Sequence, residues 1–215
     1  MKTKKLVLTA LLLAIGTLLS FIQIIRLPFG GAVTLASMVP IVLISYIYGT
    51  KWGLFSSFVY ALLQILSGMG TVSAFFMPGE SQMVLWMAVC VCVLDYLLAY
   101  TMLGFGGIFK NKLKNASLEI SLGAVVSLFL RFLVHIISGA VFFGSWASWF
   151  FGDESGLSQI PALSGFCSWV IENLSGNAIA ILYSVIYNGA YMIPEIIITV
   201  IIAPVIFKAL KLSLK

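Results

Sequence analysis

Residues 83–142, MVLWMAVCVCVLDYLLAYTMLGFGGIFKNKLKNASLEISLGAVVSLFLRFLVHIISGAVF, hold two long apolar runs joined by a short basic gap containing Lys110, Lys112 and Lys114. Each run reaches the roughly 20 predominantly apolar residues that a helix needs to cross a bilayer. Lys and Arg accumulate on the cytoplasmic side, so the gap lies inside, the first run descends and the second climbs. The same alternation extends in both directions. Lys2, Lys4 and Lys5 precede the first run, Lys51 follows the second, and Lys208, Lys211 and Lys215 close the last. The other gaps hold Arg26, Glu80, Asp153, Glu154 and Glu172. This pattern predicts an all-α membrane protein with six transmembrane helices and both termini cytoplasmic. The spans are approximately 5–25, 31–49, 53–70, 83–107, 116–142 and 176–207, with an extended outer loop at 143–175.

Composition agrees with that reading. A chain that is 61% hydrophobic and 9% charged carries too little polar surface for a soluble domain of 215 residues, and it reads as one membrane domain throughout. The formal charge of +5 is accounted for by topology and by anionic lipid at the cytoplasmic leaflet, so it does not point to nucleic acid. The N-terminal MKTKKLVLTALLLAIG resembles a signal peptide, but its apolar run continues to Ile25 without a small-x-small cleavage site, and retention is expected. Cys90 and Cys92 share one helix two positions apart and Cys167 lies in an outer loop, which suits small apolar side chains rather than a disulfide or metal framework.

Four ionisable residues remain inside spans: Asp95, Arg131, His135 and Glu195. Each is costly near the bilayer centre and needs a partner or a function. Glu119, in the first turn of the fifth span, reads as a partner of the helix dipole near the cytoplasmic surface. At 1.5 Å of rise per residue, Asp95 lies roughly 18 Å below the outer end of its span and His135 about 10 Å below its own. Tyr183, Tyr187 and Asn188 fall at about 10 to 18 Å on the sixth span. The coincidence in depth predicts a polar pocket open to the outside. Each member has a plainer role as well. His135 is able to bond a neighbouring carbonyl, Asp95 to neutralise Arg131, Tyr183 and Tyr187 to serve as interface aromatics, and Asn188 to bridge helices. Glu195, next to Pro194, suits a kinked backbone or a pairing with Arg131. As a set, an anion, aromatic faces and an amide suit a small cationic or zwitterionic heteroaromatic ligand. The sequence holds no Gly-rich phosphate loop, no HExxH and no spacing typical of metal ligands.

Three segments sharpen this expectation: VLDYLLAYTMLGFGGIF around Asp95, LRFLVHIISGAVFFGSW around His135, and YSVIYNGAYMIPE around Asn188. They resemble the S components, the substrate-binding subunits, of energy-coupling factor vitamin transporters, most closely the thiamine-specific branch. Size, helix number and inside termini match over essentially the whole chain. The resemblance implies a vitamin site built from Asp95, Tyr96, His135, Tyr183 and Asn188. Asp95 stands where a Glu is expected and is shorter by one methylene. Phe143 stands where a tryptophan is expected, with Trp146 and Trp149 as nearby substitutes, and the early loop LPFGGAV lacks a tryptophan. The long segment GDESGLSQIPALSGFCSWVIENLSG is an outer lid or an interfacial helix.

Ala10 and Ala14, a small-xxx-small pair, correspond in this resemblance to the surface that docks on a transmembrane coupling subunit. Two ABC-type ATPases complete the implied complex in the plasma membrane of a prokaryote, with no cofactor, metal or catalytic residue in this chain. The implied substrate is thiamine or a precursor, captured from outside and delivered by reorientation of the whole subunit. Two other classes remain: a stand-alone secondary transporter, and an intramembrane enzyme using Asp95 and His135 with Ser138. The enzyme class requires a nucleophile held by a base beside an oxyanion site, and the sequence offers no such arrangement.

Overall fold

The computed structural model describes residues 2–27, 30–79, 81–152 and 157–213. Glu80, Asp153, Glu154 and Lys215, counted above among the gap charges, lie outside the described residues, as do Pro28 and Phe29 of the LPFGGAV loop. Helix α1 (Lys2–Ser20) leads into a small antiparallel hairpin, β1 (Gln23–Arg26) and β2 (Ala32–Thr34). Then come α2 (Val39–Tyr48), α3 (Thr50–Ser67) and the short α4 (Met69–Ala74). The fourth apolar stretch, Leu85–Gly107, is a composite. It opens as α5 (Leu85–Val91), widens to a π-helix at Cys92–Leu98, returns as α6 (Ala99–Thr101) and tightens to a 3₁₀ turn at Met102–Gly107. Helix α7 (Ala116–Phe142) follows, then α8 (Ala147–Phe151), α9 (Pro161–Asn173) and α10 (Gly176–Ser213).

Among the described residues, four helices are long and apolar enough to cross a membrane: Thr3–Ser20, Leu85–Gly107, Ala116–Phe142 and Gly176–Leu210. The first is shorter than expected, because residues beyond Ser20 turn into the hairpin instead of continuing the helix. The run expected to cross at 31–49 also differs. Its first part is strand and turn, and its helix α2 has only 10 residues. Ten residues rise about 15 Å, half of a hydrocarbon core. Helix α2 is apolar for another reason: Ile41, Val42, Leu43 and Ile44 are all fully buried at the centre of the bundle. A helix that is hydrophobic all round belongs inside, whether or not it spans.

Small residues make that centre possible. A Cβ at Gly123 of α7 would run into the backbone carbonyl of Gly106, and one at Gly53 would overlap Ser45 of α2. Backbones therefore pack against one another, as small residues permit between membrane helices. Ser45 joins the same contact: its hydroxyl donates to the Gly104 carbonyl at 2.5 Å and accepts from the Gly107 N–H at 2.8 Å. Helix α7 starts at a capped end, where the Asn115 side chain accepts from the N–H groups of Ser117 and Leu118. Glu119 does more than face the helix dipole. It is buried, and it accepts from the Tyr46 hydroxyl at 2.6 Å and the Leu113 N–H at 2.8 Å, tying the basic gap to α2.

Candidate functional site

A cavity of about 190 Å³ opens between the hairpin, α1, α3, the π-helical stretch, α7 and α10. Asp95, Tyr96, His135, Tyr183 and Asn188 all line it. Asp95 and Tyr96 lie within the π-helix Cys92–Leu98. Single π-turns inside α-helices recur at functional sites because they re-aim side chains without ending the helix. Here two consecutive residues reach the same cavity.

Asp95 is the hub. Its Oδ1 lies 2.9 Å from His135 Nδ1, and its Oδ2 accepts from the Ser138 hydroxyl at 2.7 Å. Arg131, one turn before His135, donates from Nε to His135 Nε2 at 3.2 Å. Because a guanidinium only donates, Nε2 must accept; the imidazole proton therefore sits on Nδ1 and is given to Asp95. The chain Arg131–His135–Asp95 fixes both ring orientation and tautomer. The expected alternative, Asp95 neutralising Arg131 directly, is not formed. Arg131 donates its second nitrogen to the Met38 sulfur and lays its guanidinium 4.0 Å from the centre of the Tyr100 ring. A cation over an aromatic face is stabilised without a carboxylate.

Asn188 works inward. Its amide donates to the Ser184 carbonyl at 2.9 Å and to the His135 carbonyl at 3.3 Å, so it bridges α10 to α7 and supports the histidine's own backbone. Tyr191 donates to the Asn188 oxygen at 2.7 Å, and its ring lies edge-on to His135 at 5.9 Å. Gly139 lets the helices close here, since a Cβ there would strike Ser184 and approach Asn188. Tyr183 and Tyr187 stack at 5.8 Å with a 33° tilt. Tyr183 is buried rather than lying at an outer interface. The Tyr187 hydroxyl accepts from the Gly31 N–H at 3.2 Å, and Glu195 accepts from both the Thr34 N–H and the Thr34 hydroxyl. Three bonds to two residues of α10 thus hold the hairpin over the cavity. Glu195 pairs with the hairpin, not with Arg131.

Trp146 is displaced from this set. Helix α7 ends at Phe142, and a 3₁₀ turn at Gly144–Trp146 carries the indole into a neighbouring cavity of about 670 Å³. The two cavities share Gly30, Thr71, Phe75 and Phe143. Phe143, standing where the resemblance places a tryptophan, lines both cavities and is paired edge-on with Phe75 at 6.3 Å. Tyr100, Tyr191 and Gln64 also line the first cavity and were not singled out from the sequence. Gln64 carried a signal, being a lone amide within an apolar span, and its side chain donates to Ser20 at 3.3 Å. Ala10 and Ala14 are not among the cavity-lining residues and are exposed on α1 beside Leu6, Val7 and Leu11.

Residues 6–149 match the family model described as "Thiamine transporter protein (Thia_YuaJ)". The chain belongs to the thiamine transporter family. It is 30% identical over 192 residues to the thiamine transporter ThiT of Bacillus subtilis (strain 168), covering 85% of this chain and 78% of that protein. A solved structure of ThiT from Listeria monocytogenes superimposes with a TM-score of 0.65 at 20% identity, over 97% of this chain and 95% of that one. The second likeness establishes a common fold. Members of the thiamine transporter family are membrane transporters, not enzymes, and the several long apolar helices make this a multi-pass membrane protein. The family match contains Asp95, Tyr96, Arg131, His135 and Phe143, whereas Tyr183, Tyr187 and Asn188 lie beyond it.

Proposed function

We propose that this chain is the substrate-binding subunit for uptake of thiamine or a thiamine precursor, with Asp95, Tyr96, His135, Tyr183 and Asn188 forming the site. The observation that carries the reading is the carboxylate of Asp95, oriented by His135 and Ser138 inside an aromatic-walled cavity of a thiamine transporter family member. Thiamine pairs a cationic thiazolium with an aminopyrimidine. A fixed carboxylate offsets the cation, and tyrosine faces stack on flat rings. Phe143, in the place of the expected tryptophan, supplies one such face, and Trp146 guards the adjoining cavity.

Transport uses six spans with both termini cytoplasmic. Helices α2 and α3 make the second and third crossings, with β2 completing the outer half of the second. Non-helical backbone at membrane depth is tolerated where protein encloses it. Val33 and Thr34 are buried, and the Thr34 N–H is satisfied by Glu195. The exposed Ala10 and Ala14 stripe docks a transmembrane coupling subunit, and two ABC-type ATPases power the cycle in a prokaryotic plasma membrane. The geometry of Ser138 argues against the hydrolase alternative. In a nucleophilic triad the histidine bridges serine and acid, but here Asp95 lies between them, so the Ser138 hydroxyl faces a carboxylate and no imidazole.

Calorimetric titration of the purified protein with thiamine and its precursors tests the site. Saturable binding supports the reading, and no binding of any of them refutes it. Uptake into vesicles with and without the coupling complex then tests the mode of transport. Gradient-driven uptake by the lone chain would establish a secondary transporter instead.

A further inference from the structure

Helix α9 (Pro161–Asn173) lies in the loop that follows α7 and takes no part in the cavity lining. At about 100° per residue its side chains divide into three sectors rather than two. Leu163, Cys167, Val170 and Leu174 form a seam toward the protein, where Cys167 and Val170 are buried against a cluster containing Phe151, Ile179 and Tyr183. A lateral stripe carries Ala162, Phe166 and Trp169, all exposed, with Trp169 at 52%. The remaining side carries Ser164, Ser168 and Glu172, exposed and polar, with Ile171 at its border with the seam. Asn173 closes the apolar stripe by donating its amide to the Trp169 carbonyl at 2.8 Å.

A helix in water shows two sectors, one buried and one polar. A third, apolar and exposed sector at right angles to the seam suits a third medium. Only Leu174 and Ser175 separate α9 from α10, so the end of α9 is held beside the outer end of the sixth apolar span. Gly176 makes the sharp turn between them with φ of +55°. Ile181 and Val185 on the first turns of α10 are exposed, as are Val84, Leu85 and Trp86 at the outer start of the fourth span. Like these positions, the stripe of α9 presents large apolar side chains on the outside of the protein. Trp is favoured at this depth because its ring is apolar and its N–H remains hydrated. The only charge on α9, Glu172, is exposed and lies at the edge where the polar side meets the stripe, one turn beyond Trp169.

We infer that α9 is an interfacial helix whose Phe166–Trp169 stripe is seated in the outer leaflet of the bilayer. Its seam then ties the membrane to the ligand cavity, since Phe151 packs on Phe150 at 5.1 Å and Phe150 packs on Tyr183 at 5.1 Å. The occupant of the stripe is lipid, not a second protein, because α10, an apolar span separated from α9 by two residues, exposes Ile181 and Val185 on its outer turns.

The test uses the full chain in vesicles of phosphatidylethanolamine and phosphatidylglycerol, with nitroxide-labelled phosphatidylcholine quenching tryptophan emission at chosen depths. The difference between wild type and Trp169→Phe isolates Trp169, and Trp169→Tyr serves if the Phe variant yields no folded protein. The expected result is loss of most of the Trp169 emission to nitroxides at the headgroup and upper acyl chain. Midplane nitroxide and aqueous iodide should quench it little. Three outcomes overturn the inference. Strong iodide quenching without lipid quenching puts α9 in water, strongest quenching at the midplane puts it too deep, and shielding from both means that protein covers the stripe.

Discussion

Replacing Asp95 by Asn should abolish tight binding of a cationic ligand while leaving the protein folded. The Asn oxygen can still accept from His135 Nδ1, where Asp95 Oδ1 now lies at 2.9 Å. The Asn amide would face Ser138, whose hydroxyl can rotate to accept it and turn its own proton to a carbonyl of its helix. Both contacts survive in altered polarity, so the folding cost should stay near 1 kcal/mol. What disappears is the charge. Two unit charges about 4 Å apart attract by about 4 kcal/mol at an effective dielectric constant of 20. Part of that is offset because the neutral amide is cheaper to desolvate, leaving a loss of about 3 kcal/mol, or roughly a hundredfold in affinity. Calorimetric titration with thiamine measures the loss, and thermal unfolding in the same detergent checks the fold. A neutral analogue, with carbon in place of the charged thiazolium nitrogen, should bind wild type and variant alike. A loss below tenfold for thiamine with an unchanged melting temperature would refute the role given to Asp95. An equal loss for the neutral analogue would show that shape, not charge, had been damaged.

Glu195→Ala should leave the Thr34 N–H unpaired inside the protein and cost about 1–3 kcal/mol, visible as a lower melting temperature, whereas Glu195→Gln keeps an acceptor and should cost less. Gly139→Val should push α10 away from α7 at Ser184 and Asn188, costing about 1–3 kcal/mol and weakening thiamine binding in calorimetry. Large residues at Ala10 and Ala14 should leave binding unchanged and reduce uptake by the complete transporter in vesicles; uptake at the wild-type rate would remove α1 as the docking surface.

Helix α7 was legible to its ends because both are marked chemically. Three lysines and a capping Asn115 precede it, and a glycine-containing 3₁₀ turn follows it. The second run is helical only over Val39–Tyr48, a limit the sequence hides because an unbroken apolar stretch looks the same whether it faces lipid or the protein's own core. The pairing of Gln23–Arg26 with Ala32–Thr34 was hidden for a related reason: strand and helix both tolerate Ile and Val, and only the chain reversal between them distinguishes the outcome. Helical rise is nearly constant, so counting along the spans brings Asp95, His135, Tyr183 and Asn188 to one level, and all four line the same cavity. Such counting could not anticipate the π-turn at Cys92–Leu98, which leaves no trace in hydrophobic periodicity. Nor could it place Arg131, since a reading based on opposite charges looks for a carboxylate and overlooks Tyr100.

That unexpected placement of Arg131 bears on selectivity. A direct Arg131–Asp95 pair would leave a neutral site with little to offer a cation. Instead, Arg131 is stabilised by a ring face and a sulfur and donates to the far side of His135, while His135 presents its Nδ1 proton to Asp95. The arginine orients the imidazole that orients the carboxylate, and the carboxylate keeps its charge available to the cavity. Asn188, bonded to backbone and to Tyr191, holds the two helices together at the same level. The polar groups thus largely satisfy one another before any ligand arrives, which keeps the empty pocket stable at membrane depth. A cation gains the attraction of Asp95 without having to break a preformed pair, and a neutral ring of the same shape gains only the stacking.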